Sequence, residues 1–355
     1  MRHWLAQELF RAYRHNNAKL HPLRTLFWEC TLRCNMSCLH CGSDCKVQPA
    51  VPDMPAADFF KVIDDITPHV DPHTTFVVFI GGEVLLRPDL DACGLELYRR
   101  GFPWGLVTNG YLLTRDRLER LQRSGLHSIT VSIDGLEDDH NWLRQNPYSF
   151  VKASEAIRNL SQAQELVWDV VTCVNPRNYS RLEELKAYLY GLGVRRWRVF
   201  TIFPMGRAAG NPELKLSPDQ LRGTLDFIKR TRAEGRMHVS YACEGYLGDA
   251  YELQVRNQYY YCRSGVEVAS VLCDGHISGC TSMRSNFYQG SIYTDNFWDV
   301  WQNRFEIYRD RSWTHKGICK QCKAYRYCEG NGLHLYDDNG NLLHCHYQTL
   351  RDCKE

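Results

Sequence analysis

Six apolar runs recur along the first two thirds of the chain, at Thr25–Glu29, Thr75–Ile80, Trp104–Thr108, Ser128–Ile133, Trp168–Val174 and Trp197–Ile202. Few polar residues interrupt them, as in strands covered on both faces. Between them, apolar side chains return at helical spacing over Ala56–Ile66, Leu90–Arg100, Arg115–Gln122, Val151–Gln162 and Ser180–Tyr190. This alternation predicts parallel βαβ units. Six units predict an α/β fold built as a partial (β/α)6 barrel of the TIM type, short of the eight that close a full one. Sites in such folds gather at the C-terminal ends of the strands. Residues 1 to about 22 predict an amphipathic helix, with Trp4, Leu5, Leu9, Phe10 and Tyr13 among basic residues. Docking on the body is the plain expectation, and a membrane-surface or partner-binding role is the alternative. A further helix is expected from about Ser217 to Arg232. Beyond Cys262 the texture changes, with turn signals at Asp274-Gly275, Ser278-Gly279, Asn331-Gly332 and Asn339-Gly340 and one helix near Asn296–Arg309. That texture suggests a small module held by metal centres rather than by a large core. The expected division is a helical extension over 1–23, a barrel core over 24–215, a helical linker over 216–261 and a C-terminal module over 262–355.

Composition narrows the class. A chain of 355 residues can bury a full core and more than one domain. A net charge of +2 gives no argument for nucleic acid. No apolar run is long enough to span a bilayer, and the N-terminus lacks a secretory pattern, so a cytoplasmic protein is expected. Cysteine is the outlier, at 16. In a reducing compartment, clustered cysteines are metal ligands more often than disulfides. Cys93 and Cys173, alone in apolar stretches, read as buried core thiols.

The sharpest feature is Cys34-x3-Cys38-x2-Cys41, directly after the first predicted strand. A structural zinc site closes itself with four ligands, whereas three thiolates on an iron–sulfur cube leave one iron open to chemistry. Zinc remains the alternative. The triplet resembles the signature of the radical S-adenosylmethionine (SAM) superfamily. That resemblance implies a [4Fe–4S] cluster on Cys34, Cys38 and Cys41 as the catalytic centre. It implies that SAM chelates the fourth iron, and that SAM is cleaved to a 5′-deoxyadenosyl radical that takes a hydrogen atom from substrate. His40 stands at the family's ring-bearing position, expected against the adenine. Gly81-Gly82-Glu83 resembles the segment that receives the SAM amino group, with Val84 where the family usually has proline. Glycines permit close backbone approach, and a carboxylate accepts from an ammonium. Ser132-Ile-Asp134-Gly135 resembles the segment that reaches the ribose, although the same string is an ordinary strand-exit turn. Arg144 is a candidate partner for the SAM carboxylate, with a solvated surface arginine as the plain reading. Asn109 is expected to shape the pocket floor, and Pro204–Arg207 to close the adenine side.

The C-terminal cysteines resemble a SPASM domain, which carries auxiliary clusters. Cys262 comes first, Gly275-His-Ile-Ser-Gly-Cys280 fits Gly-x4-Cys, Cys319-x2-Cys322-x5-Cys328 follows, and Cys345 fits the last position. The resemblance implies a complete second auxiliary cluster on Cys319, Cys322, Cys328 and Cys345. The first has Cys262 and Cys280, with Cys273 as an extra candidate, but Gly332 stands where a cysteine is expected. Cys243, Cys353 or a histidine could substitute, the cluster could keep an open iron for a substrate thiolate, or the site could be degenerate. One or two auxiliary clusters are therefore expected. Thr281 stands where sulfatase-maturing relatives often carry an aspartate base. Cys30 and Cys45 bracket the first loop, and short strings there resemble a branch grouped with small lipoprotein-like partners. The implied activity is hydrogen abstraction from a peptide or protein substrate, giving a thioether or carbon–carbon crosslink, an oxidation or an epimerisation. The implied electron source is a low-potential donor such as flavodoxin or ferredoxin. The alternatives are a radical SAM enzyme acting on a small molecule, a non-enzymatic electron carrier and a zinc scaffold.

Overall fold

The computed structural model describes residues 2–242 and 244–351. The chain opens with α1 (Arg2–Leu20) and continues with β1 (Thr25–Thr31), α2 (Ala56–Ile66), β2 (Phe76–Gly81), α3 (Leu90–Arg99), β3 (Trp104–Thr108), α4 (Arg115–Arg123), β4 (Leu126–Ser132), α5 (Glu137–Arg144) and α6 (Ser149–Ser161). Next come β5 (Val167–Val174), α7 (Pro176–Tyr179), α8 (Leu182–Gly191), β6 (Arg196–Thr201), α9 (Pro218–Ala233) and β7 (His238–Tyr241). The C-terminal part holds β8 (Val268–Val271), β9 (His276–Ser278), β10 (Gly290–Ser291), α10 (Phe297–Asn303), α11 (Glu306–Arg309), α12 (Tyr325–Cys328) and α13 (His346–Arg351).

The ten strands among the described residues join one sheet in the order β10-β9-β8-β1-β2-β3-β4-β5-β6-β7. Its pairs from β8 through β1 to β7 are parallel, and it does not close on itself, giving the expected partial barrel. Aromatic side chains fill the space between sheet and helices. Trp28, Trp104 and Trp197 are fully buried, and the Trp28 ring stacks on Phe59 at 4.1 Å. Burying rings of this size is among the larger single contributions to such a core.

The apolar runs located β1 to β6 to within a few residues. β7 had not been anticipated. It is four residues long and buries Val239 and Tyr241 while His238 is exposed and Ser240 half-buried, the alternation of an edge strand. The helix expected over Asn296–Arg309 divides into α10 and α11. Arg309 donates to the carbonyls of Trp301 and Gln302 and so satisfies the end of α10. β8 pairs with β1 from Thr25↔Val268 to Trp28↔Val271, so the C-terminal hairpin extends the barrel's own sheet. No helix among the described residues is long and apolar enough to cross a membrane.

Candidate active site

β1 releases the cysteine loop at Thr31, at the C-terminal mouth of the sheet. The loop folds back on itself, with Cys34 N–H donating to Lys46 O at 2.8 Å and Lys46 N–H to Leu32 O at 3.2 Å. Two distant elements hold it. Leu39 N–H donates to Leu143 O of α5 at 2.9 Å. Arg207, after β6, donates to Cys38 O at 2.7 Å and to Cys45 O at 2.8 Å. The segment expected to close the adenine side therefore grips the cysteine loop.

Cys34, Cys38 and Cys41 gather with Met36 and Cys45 in one small cluster. Each sulfur has a donor beside it. The backbone N–H of Met36 serves Cys34, the Cys45 N–H lies 3.4 Å from Cys41 Sγ, and Arg144 Nη1 lies 3.9 Å from Cys38 Sγ. Donors aimed at sulfur favour thiolates, the form that binds iron. Burial nevertheless pushes the Cys34 thiol up to about 11 and raises Cys38. Cys41 goes the other way, to about 5, because the Cys45 thiol donates to it. Cys45 is correspondingly pushed up. Three converging thiols with donors on each fit a cluster that has one iron left open.

Gly81 and Gly82 serve the chain itself. A Cβ on Gly81 would collide with Thr31 O and one on Gly82 with Arg33 O, where β1 passes into the loop. Gly81 has φ +138°, which disfavours a side chain independently. Glu83 follows, fully buried. Its carboxylate accepts from Thr108 Oγ1 at 2.7 Å, Asn109 N–H at 2.8 Å and Leu85 N–H at 3.0 Å. Burial raises its pKa against those donors. Asn109 Nδ2 donates to Asn35 Oδ1 at 2.7 Å, joining the end of β3 to the cysteine loop.

Ser132 and Asp134 leave β4, both buried. Asp134 accepts from Arg144 Nε at 2.6 Å and from Cys173 N–H at 2.9 Å, while its own N–H donates to His140 Nδ1 at 2.9 Å. Burial pushes this carboxyl up, but Arg144, His40, His140 and the Cys173 N–H together outweigh it and the pKa falls to about 2. Arg144 is buried, so the surface reading does not hold. It bridges Asp134 to Cys38. His40 also sits here, its pKa lowered to about 4 by burial, and its Nδ1 has no hydrogen-bond partner. Its ring, Asp134 and Cys173 place ligand atoms within 4.8 Å of one another. Cys173 was expected to be mere core, and its neighbours come from packing that spacing does not encode.

In the C-terminal module, Cys319, Cys322, Cys328 and Cys345 line one cavity with Tyr325 and Asn331. The Asn331 N–H donates to Cys328 Sγ at 3.1 Å. That set fits a complete cluster. Cys262 and Cys280 lie together, with Ser264 beside both and Arg311 beside Cys262. Cys273 does not join them. It lies in the turn between β8 and β9, with its N–H donating to Glu29 Oε2 at 3.1 Å and its thiol to Pro52 O at 3.3 Å. The Asp274-Gly275 turn then carries β9 away to Cys280. At Gly332 a Cβ would lie 2.6 Å from His334 Cε1 and 3.0 Å from Glu244 O, so the imidazole fills the space of the expected thiol. Cys243 and Cys353 lie outside the described residues.

Beside the cysteine loop, β6, the segment after it and the C-terminal module enclose a cavity of about 290 Å³. Phe203, Leu214, Leu335 and Leu343 supply apolar walls, and Lys215, Glu244, His344 and His346 supply polar ones. The Phe203 ring packs edge-on to His334 at 4.9 Å and lies 3.7 Å from where a Gly42 Cβ would be. One wall of the cavity is thus also a neighbour of the cysteine loop. Spacing gave no sign of it.

An open α/β barrel with three thiols at its mouth and a four-thiol module on its flank defines an iron–sulfur enzyme of the SAM-binding class. Comparison with known proteins agrees. Residues 28–189 match the Radical SAM superfamily, and residues 262–323 match an iron–sulfur cluster-binding domain, SPASM. The chain carries a radical SAM domain and a SPASM domain, and its cofactors are SAM and [4Fe–4S] clusters. It is 26% identical to the AdoMet-dependent heme synthase of Methanosarcina barkeri, over 90% of this chain and 94% of that one. It is also 26% identical to the mycofactocin maturase MftC of Mycobacterium tuberculosis, over 86% and 77%. Native anSMEcpe with bound AdoMet and Kp18Cys peptide shares the fold, with a TM-score of 0.72 and 18% identity over 93% of this chain and 95% of that one.

Proposed function

We propose that this chain removes a hydrogen atom from a peptide or protein substrate whose reacting side chain enters the cavity at Phe203. When bound, the cluster and SAM together supply one-electron hydrogen-abstraction chemistry. Cys34, Cys38 and Cys41 would hold the cluster. Gly81, Gly82, Glu83, Asn109, Ser132, Asp134 and Arg144 would shape and charge the SAM site, with His40 presenting its unpartnered Nδ1 to the nucleoside. Arg144 keeps Asp134 ionised and sits against Cys38, which ties the polar site to the ligand loop. Cys319, Cys322, Cys328 and Cys345 would hold the auxiliary cluster.

The observation that carries the substrate reading is the size of the cavity. At about 290 Å³ it stands at the lower bound, about 300 Å³, of sites that enclose a whole small molecule. It suits one or two side chains of a longer chain that stays outside. A peptide in anSMEcpe, which shares the fold, is in keeping with this. A second reading, a tetrapyrrole substrate, is favoured by the end-to-end similarity to heme synthase.

Anaerobically reconstituted protein, given SAM and a low-potential reductant, separates the two. It would be offered short Cys-, Ser- or Tyr-rich peptides encoded beside its gene and, in parallel, an iron tetrapyrrole, with products read by mass spectrometry. A mass change on a peptide supports the proposal. Conversion of the tetrapyrrole with every peptide unchanged overturns it.

A further inference from the structure

A second cavity, of about 370 Å³, lies against β5, β6 and β7. The register pairs Thr130 with Asp169, Val171 with Arg198, Arg196 with His238 and Arg198 with Ser240. Paired residues of parallel strands point to one side, and alternate residues along a strand share a face. Asp169, Arg196, Arg198, His238 and Ser240 therefore stand on one wall, and all five line the cavity. It opens to solvent at Arg196 and His238, both exposed.

Its chemistry is one-sided. Asp169 is the one acid in the lining among the described residues, and both of its oxygens are taken. Oδ1 accepts from Thr130 Oγ1 at 2.6 Å and from Arg198 Nη2 at 3.1 Å, and Oδ2 accepts from Arg198 Nε. Asn257 Oδ1, also in the lining, accepts from Arg232 Nη2 at 2.9 Å, and Asn257 Nδ2 lies 3.0 Å from His238 Nε2. The groups left over are donors: Arg198 Nη1, the Ser240 hydroxyl and the whole guanidinium of Arg196, which has no hydrogen-bond or ion-pair partner among the described residues. Arg198 is matched by Asp169, so Arg196 supplies one uncompensated positive charge. A planar monoanion, a carboxylate, fits that balance and the guanidinium geometry, whereas a doubly charged phosphate would also face Asp169.

The cavity lies on the same wall as the SAM site. Cys173 pairs with Phe200, one step along the face from Val171 and Arg198. The Cys173 thiol sits with His40 and Asp134. Val171 and Phe200, both half-buried, make the step between them apolar. At about 3.3 Å per residue, Arg198 is roughly 7 Å from the level of Cys173.

We propose that this cavity is a carboxylate subsite for the substrate, anchored by Arg196 and Arg198 and joined to the SAM site by the apolar step of Val171 and Phe200. A peptide terminus and a small organic acid offer the same group, so the subsite stands apart from the peptide reading above.

The probes are dansylglycine and dansyl-Ala-Ala-Gly with a free C-terminus, each dialysed to equilibrium against anaerobic holoprotein with SAM and no reductant. Saturable binding is expected, with the matching C-terminal amides at least about tenfold weaker. Binding of the tripeptide assigns the subsite to a chain terminus, and binding of dansylglycine alone assigns it to a small acid. Arg198→Gln should weaken binding at least about tenfold and Arg196→Gln severalfold. Iron content reports that each variant folds. Arg196 makes no contact that holds the fold, so Arg196→Gln decides the case if Arg198→Gln loses its iron. Absence of saturable binding, equal binding of the amides, or unchanged affinity in Arg196→Gln overturns the proposal. Displacement of the probe by inorganic phosphate at equal concentration would make this a general anion site and overturn it as well.

Discussion

Two groups of cysteines in this chain stop short of four, and their surroundings differ. At Cys34, Cys38 and Cys41, donors from the backbone, from Cys45 and from Arg144 point at the sulfurs, and a polar site built from the ends of β2, β3 and β4 stands alongside. At Cys262 and Cys280, the position that would supply another sulfur is Gly332, and its side-chain space is taken by His334 and Glu244 O. The first group is short of a ligand where the structure is arranged for one. The second is short where the structure has packed the space. A ligand count from sequence treats the two alike, and the surrounding atoms separate them.

The largest effect that would break this contrast is at the first loop. Cys34→Ala, Cys38→Ala and Cys41→Ala should each abolish 5′-deoxyadenosine formation and cost about four irons per chain. Chromatography showing retained formation in any of them would remove the basis for the assignment. Next comes Arg144→Ala, which leaves the buried Asp134 without its ion-pair partner. A loss of roughly 3–5 kcal/mol is expected in urea unfolding of the cluster-free protein, and a change below about 1 kcal/mol would mean the pair is not a strut of the site.

Acid should strike both regions. An unfolded histidine takes up its proton near pH 6.5, whereas burial lowers His140 to about 3 and His334 to about 4. Between those values the unfolded chain binds more protons than the folded one. Their stability is therefore fully present above about pH 6.5 and falls as pH drops towards 4, by up to roughly 1.4 kcal/mol per unit for each histidine. Urea midpoints measured from pH 7 to 5 should fall, and His140→Gln should flatten the slope. The smallest effect belongs to Gly332→Cys. Crowding against His334 should cost about 1–3 kcal/mol and leave the iron count unchanged. A gain of about four irons without loss of stability would show that the space is available after all.

The sequence showed some of this and hid the rest for identifiable reasons. β1 to β6 were legible because strands covered on both faces are almost wholly apolar, and the first cysteine loop because its sulfurs are contiguous. β7 was not, since an edge strand of four residues leaves little pattern. α5 was missed because Glu137-Asp-Asp-His-Asn-Trp is largely polar, although its buried face presents His140 and Arg144 to Asp134. Cys273 was misplaced because linear spacing does not show which strand β8 will pair with. Glu83 could be picked out by its glycines, but its partners Thr108 and Asn109 come from another strand and appear only in three dimensions. The cavity at Phe203 is likewise a property of packing.

The pairing of β8 with β1 bears on the order in which the molecule is made. During synthesis β1 can join β2 early, but its other edge stays bare until residues 268–271 have left the ribosome. An open apolar edge is an aggregation hazard while it waits. Until then the strand that feeds the cysteine loop is held on one side only. The loop of Cys34, Cys38 and Cys41 thus hangs from a strand whose second neighbour is among the last to be made, and a nascent chain stopped before residue 268 should expose the edge of β1 to any other strand it meets.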